Sequence, residues 1–158
     1  MNLSDHFTLA EMTTTDARQF PNVPSLAEVE NLRYLCINVM EPVRQRFGPW
    51  HVTSGYRSPA LNTFIGGSTT SMHMKGLACD GVPIGKLVDG MRTEPRWNEI
   101  ILFLLTSGLP VDQVIYEFGR WLHIGTRAEG RDCRKQALMI FEPGKYEIFN
   151  PHDPRVTR

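Results

Sequence analysis

Three side chains stand out for what they could hold together. His73 lies in Ser71-Met72-His73-Met74-Lys75-Gly76, Asp80 follows in Leu77-Ala78-Cys79-Asp80, and His123 sits in Trp121-Leu122-His123-Ile124-Gly125. Each is set among apolar and glycine residues rather than in a solvated run. Two imidazoles and one carboxylate can hold zinc on three sides and leave the fourth position open to water. An open zinc site lowers the pKa of that water and polarises a carbonyl, so the chemistry implied is metal-assisted hydrolysis.

The spacing supports convergence without requiring it. A chain that doubles back at Gly76 brings His73 and Asp80 around one point, and a histidine in mid-strand at 123 needs a partner if it is buried. The bland alternative is a hydrogen-bonded core histidine with a capping aspartate. The remaining histidines, His6, His51 and His152, are isolated in sequence and read as surface or hydrogen-bonded residues.

Hydrolysis also needs a proton shuttle, and Glu117 is the candidate. A tight turn at Gly119 would place Glu117 and His123 on paired strands, where their side chains converge diagonally. Glu117 could then take a proton from water and pass it to a leaving amine; otherwise it is a solvated residue beside a turn. Arg57, in Ser54-Gly55-Tyr56-Arg57-Ser58-Pro59, could fork onto a substrate carboxylate or stabilise a developing oxyanion. A salt bridge tying that turn down is the structural alternative. Ser71 could donate a hydrogen bond to substrate, or serve only as a turn residue.

The elements that must position these groups follow from periodicity and caps. Thr8-Leu9-Ala10-Glu11 and Ser25-Leu26-Ala27-Glu28 have the form of helix capping boxes. The second opens an amphipathic helix through Leu26, Val29, Leu32, Leu35, Cys36, Val39, Met40 and Val43, stopped by Gly48-Pro49. Trp50 to Ser54 reads as a strand, Ser58 as the cap of a short helix beginning at Pro59, and residues 65–70 as a loop. Leu77 to Val82 is a second strand, with Cys79 and Asp80 on opposite faces. Gly85 to Leu105 reads as helical, interrupted at Pro95. Gln113–Glu117 with Trp121–Ile124, and Ala137–Phe141 with Tyr146–Phe149, read as two hairpins. Helices first and strands later predict a single α+β domain over residues 1–158, its N-terminal helices packed on a mainly antiparallel sheet that carries the site.

Composition is that of an ordinary globular protein: 158 residues, 41% hydrophobic, and 17 basic against 17 acidic residues. The zero formal balance argues against a general nucleic-acid binder. A basic C-terminal third (Arg120, Arg127, Arg131, Arg134, Lys135, Arg155, Arg158) could still steer the protein to an anionic surface such as a bacterial wall. Cys36, Cys79 and Cys133 form no CxxC pair and read as reduced thiols made in a cytoplasm. Met1 to Asp5 has no signal-peptide character, and Ile100 to Leu105 is too short to span a bilayer. Delivery to any substrate outside the cytoplasm is then expected to depend on another agent.

Taken together, Ser54-Gly55-Tyr56-Arg57-Ser58-Pro59 with Leu61-Asn62, Gly66-Gly67, Ser71-x-His73-x-x-Gly76-x-Ala78-x-Asp80 and Trp121-x-His123-x-Gly125 resemble the M15 zinc peptidases, the D-Ala-D-Ala carboxypeptidase and phage endolysin group. Phe7-Thr8-Leu9-x-Glu11-Met12, Asn31-Leu32-Arg33 and Pro42-Val43-Arg44 look like its compact phage and prophage branch. The resemblance covers about residues 6–126, leaving a C-terminal hairpin and tail at 127–158. It implies a zinc ion held by His73, Asp80 and His123, with Arg57 near the scissile carbonyl and Ser71 on the substrate side. It implies cleavage of a peptide bond in peptidoglycan, without membrane or nucleic-acid partners, by what is expected to be a monomer. Two departures stand out. Many members carry an acidic residue three positions before the last histidine, where this chain has Arg120; the compact branch closes the preceding strand with a Glu, matching Glu117. Gly81 stands where a bulkier strand residue is commoner and is expected to loosen the strand. A non-catalytic, zinc-stabilised wall-binding or virion module is the rival reading.

Overall fold

In the computed structural model, which describes residues 1–157, five α-helices and eight strands form an α+β unit. The short α1 (Leu9–Met12) is held by a capping box: the Thr8 side chain accepts from the Glu11 N–H, and the Glu11 carboxylate accepts from the Thr8 N–H at 2.9 Å. Ser25 opens α2 (Leu26–Leu35), its own N–H bonded to Glu28 Oε2 at 2.6 Å.

The amphipathic helix does run on to Phe47, but not as one regular coil. A π-helical turn at Cys36–Met40 separates α2 from α3 (Glu41–Phe47). Pro42 supplies the reason. It has no N–H to give and its ring crowds the preceding turn, and widening that turn by one residue relieves both. The apolar stripe survives the widening: Val29, Leu32, Leu35, Cys36, Val39, Met40 and Val43 are all buried. Leu26 is the exception, exposed at the first helical position.

Strand β1 (Trp50–Ser54) is followed by α4 (Pro59–Phe64), capped by Ser58 Oγ as the Ser-Pro pair predicts. Then come β2 (Ala78–Pro83), the small pair β3 (Leu87–Val88) and β4 (Met91–Arg92), and α5 (Trp97–Thr106). The helix expected from Gly85 is therefore corrected. It begins at Trp97, and the residues before Pro95 form a hairpin. Asp89 and Gly90 both have positive φ (50° and 79°), the requirement of a tight two-residue hairpin turn that Asp-Gly satisfies readily.

The main sheet has six strands in the order β1-β2-β6-β5-β7-β8, adding β5 (Gln113–Glu117), β6 (Trp121–Gly125), β7 (Gln136–Glu142) and β8 (Lys145–Ile148). All pairs are antiparallel except β5–β7. One face packs on α2, α3 and α5 through Val52, Cys79, Leu122, Ile124, Val114, Tyr116 and Met139, which share one core with Leu32, Leu35, Val39, Ile100 and Leu104. Strand alternation sends the residues between them to the opposite face. There, Asp80 pairs with His123 and His123 with Ile115, so three adjacent strands deliver their side chains to one place. Among the described residues, no helix is long and apolar enough to cross a membrane.

Candidate metal centre and its pocket

The turn that carries Arg57 is fixed before any site chemistry begins. The Tyr56 N–H donates to Met12 O at 2.6 Å, and the Arg57 N–H donates to His73 O at 3.2 Å. Asn22 bridges the same turn, its amide donating to Thr13 O and Tyr56 O while its Oδ1 accepts from the Ser58 N–H. A side chain at 55 would overlap the Met12 carbonyl, which accounts for glycine there.

His73 enters from a 3₁₀ turn (Met72–Lys75) that ends at Gly76 in the left-handed region, φ 66°. Only a residue without Cβ fits, because that position also lies against the Glu28 carbonyl. The chain reverses and Asp80 follows on β2. The loop before His73 is pinned by the buried Asn62, whose side-chain amide donates to Ser68 O at 2.9 Å while its main-chain carbonyl accepts from the Gly67 N–H at 2.8 Å. Gly81, beside Asp80, loosens nothing: a Cβ there would strike the Trp50 indole and the His51 carbonyl, and the glycine lets β1 and β2 close tightly.

The three predicted donors converge. His73 Nε2 lies 3.1 Å from Asp80 Oδ1 and 3.1 Å from His123 Nδ1, and His123 Nδ1 lies 2.8 Å from Asp80 Oδ1. All three residues are buried. His73 Nδ1 is 2.6 Å from Gly55 O, a carbonyl that can only accept, so the N–H sits on Nδ1 and the lone pair on Nε2 points into the triangle. Burial lowers the His73 pKa against the opposing pull of Asp80, keeping the ring neutral. Burial acts to raise the Asp80 carboxyl, but the two imidazoles outweigh it and hold it far below the usual carboxylate range.

This donor set fits a metal ion. A proton on His123 Nδ1 leaves His73 Nε2 and Asp80 Oδ1 facing each other as two acceptors, whereas a divalent cation satisfies all three atoms. Ligand atoms at zinc bond lengths on a tetrahedral ion stand about 3.3 Å apart, close to the spacings seen. The carbonyl on His73 Nδ1 is the kind of outer partner that fixes a ligating imidazole. Arg57 does the same for the carboxylate, with Nη2 on Asp80 Oδ2 at 2.5 Å and Nε on Ser54 Oγ at 2.9 Å.

The triangle lies at one end of a pocket of about 490 Å³ that also takes in Arg57, Ser71, Gln113, Ile115, Glu117, Arg134, Leu138 and Tyr146. Every predicted site residue therefore reaches this pocket. Glu117 sits one register step beyond Ile115, diagonal to His123 on the same face, and accepts from Trp121 Nε1 at 3.0 Å. Burial, reinforced by the Asp80 charge, raises its pKa above the ordinary value. Arg57 lines the pocket, yet its principal bonds are the salt bridge that the turn reading foresaw. His6 pairs with Glu41, 2.8 Å away, apart from the triangle.

The sequence reading passed over Gln113, Arg134, Leu138 and Tyr146. Register carries the signal for Leu138, which stands opposite Ile115 and so on the site face. In sequence Arg134 shows only as one member of the basic C-terminal third. Burial raises both buried thiols, Cys36 to about 12 and Cys79 well above its ordinary value, which makes them inert core residues.

Fold and site together define a small α+β protein with an open two-histidine, one-carboxylate centre of the hydrolytic type. Residues 5–125 match the family model for peptidase M15, and the chain belongs to that family. A comparison with curated proteins found no match.

Proposed function

We propose that the protein is a zinc-dependent peptidase that hydrolyses a peptide bond in bacterial peptidoglycan, either as a D-Ala-D-Ala carboxypeptidase or as an endolysin-like endopeptidase of stem or cross-bridge. A phage or prophage origin, with synthesis in the cytoplasm and delivery to the wall, is part of this reading. One observation carries it: three metal-competent donor atoms and a carboxylate of raised pKa open into the same pocket. A closed structural site has neither an open position nor a poised base.

In this reading His73, Asp80 and His123 hold the ion. Zinc bound there supplies Lewis acidity toward water and the scissile carbonyl. Glu117 accepts the proton of the attacking water and returns it to the leaving amine, a task suited by a carboxyl raised toward the working pH. Arg57 keeps Asp80 in its ligating orientation and adds positive charge where the oxyanion develops. Ser71, in the pocket lining two residues before His73, offers a hydroxyl to the substrate backbone.

The test is digestion of purified peptidoglycan by zinc-loaded protein, with products read by mass spectrometry and Glu117→Ala as the control. Release of a defined fragment by the wild type alone is expected and would name the bond. Wall binding and zinc binding without release would favour the non-catalytic wall-binding module.

A further inference from the structure

Part of the pocket wall, Arg134, Leu138 and Tyr146, is built from residues beyond the 5–125 family match. Arg134 is the one with charge. It is held by Asp112, a buried carboxylate at the head of β5, through Nε at 3.0 Å and Nη2 at 2.7 Å to Oδ2. Asp112 Oδ1 also accepts from Arg127 Nε at 2.8 Å and from the Arg134 N–H at 2.9 Å. One carboxylate thus faces two guanidiniums, and the cluster keeps a net charge of about +1.

Arg134 is oriented by these bonds but not consumed by them. Half of its side chain remains exposed. It lines the pocket with His73 and Glu117, and also a neighbouring cleft of about 610 Å³ with Lys75 and Arg131. Neither Lys75 nor Arg131 forms an ion pair among the described residues. Arg134 therefore brings to this pocket a positive charge that is only partly used, whereas Arg57 in the same lining is engaged by Asp80.

We propose that Arg134 is a specificity-determining residue that binds a carboxylate of the substrate, about three residues from the bond that is cut. This rests on the peptidase reading above. A fixed, part-exposed guanidinium with donors to spare is the group that recognises carboxylate in a planar, charge-assisted way. Position gives the spacing. Asp112 lies three residues before Ile115, the register partner of His123, and three residues of strand span about 10 Å. An extended peptide covers that distance in about three residues. The contact accordingly falls beyond the residue adjoining the cut bond.

The experiment uses synthetic stem peptides amidated at one carboxylate at a time, with kcat/KM read by mass spectrometry and binding of the stem tripeptide and its amides read by calorimetry. Amidation at a single position, about three residues from the cut, is expected to lower kcat/KM about tenfold, mainly through KM. Arg134→Gln should level acid and amide, in kcat/KM and in binding. Arg134→Lys should restore part of the preference, and it reads the residue's role if Arg134→Gln does not melt cooperatively. Cleavage that no amidation alters, or a preference that survives Arg134→Gln, overturns the proposal while the peptidase reading stands. An acid preference in binding that Arg134→Gln removes, with no peptide cut, keeps the carboxylate site and overturns the peptidase reading.

Discussion

Asp80 and Asp112 are both buried aspartates ringed by side-chain nitrogens, and both are more acidic than an ordinary side chain. Their surroundings nevertheless differ in kind. Asp112 faces Arg127 and Arg134, permanent cations that complete its hydrogen bonding, and its carboxyl falls to about 2 because those bonds outweigh burial. Asp80 shares one oxygen between two imidazoles, one of them presenting a lone pair, with Arg57 on the other oxygen. The Asp112 cluster is finished as it stands, whereas the Asp80 cluster is finished only by a cation. Burial and acidity alone do not separate a structural carboxylate from a ligating one; the donor or acceptor state of its partners does.

The sharpest way to break this comparison is to remove the base or a ligand. Glu117→Ala should retain zinc and lose about 10²–10⁴-fold in turnover on peptidoglycan. Undiminished turnover would move the proton transfer to another group. His123→Ala should shed the metal, as read by zinc content after dialysis; full occupancy in that variant would refute the three-ligand centre.

Chelation separates the two aspartates at the level of stability. With zinc at a thousand times its dissociation constant, the bound ion stabilises the fold by about 4 kcal/mol. Thermal melts should therefore fall on adding chelator in the wild type and in Asp112→Asn, but not in Asp80→Ala. Asp112→Asn should carry its own loss of roughly 2 kcal/mol, zinc present or absent, because one buried partner is removed from two half-exposed guanidiniums. A chelator-sensitive Asp80→Ala would place the metal elsewhere.

Smaller pH effects sharpen the same contrast. A carboxyl whose folded pKa is lowered adds stability above its unfolded pKa and loses it as pH falls through the folded value. The Asp112 contribution should fade between about pH 4 and pH 2, and Asp112→Asn should flatten that part of the acid-denaturation curve. Glu117 has the opposite sign. In the metal-free protein its folded pKa is raised, so its ionisation on going to neutral pH costs stability, and in the presence of chelator Glu117→Gln should melt slightly higher than wild type near pH 7.

The site was legible in the sequence because its chemistry is local to short patterns. His73, Gly76 and Asp80 lie on a single turn and strand, and Trp121-Leu122-His123 continues a hairpin announced by Phe118-Gly119-Arg120, so strand alternation sufficed to place Glu117 diagonal to His123. The helix register was legible from Val29 to Val43 for the same reason. The π-turn was not, because Pro42 acts through the carbonyls of the preceding turn rather than through periodicity. The hairpin of β3 and β4 was misread because Leu87, Val88 and Met91 mimic an apolar helix face, although Asp89-Gly90 carried the turn signal. The place of Arg134 in the pocket stayed hidden for a further reason. Arg134 meets Asp112 only through the parallel pairing of β5 and β7, a long-range contact with no local pattern.

The most direct measurement is a zinc titration of peptidoglycan hydrolysis by protein first stripped with chelator. Turnover should return in proportion to added zinc and level off at one ion per chain, with Glu117→Ala binding the same single ion and staying silent. One ion bound per chain with no fragment released by the wild type would contradict the account.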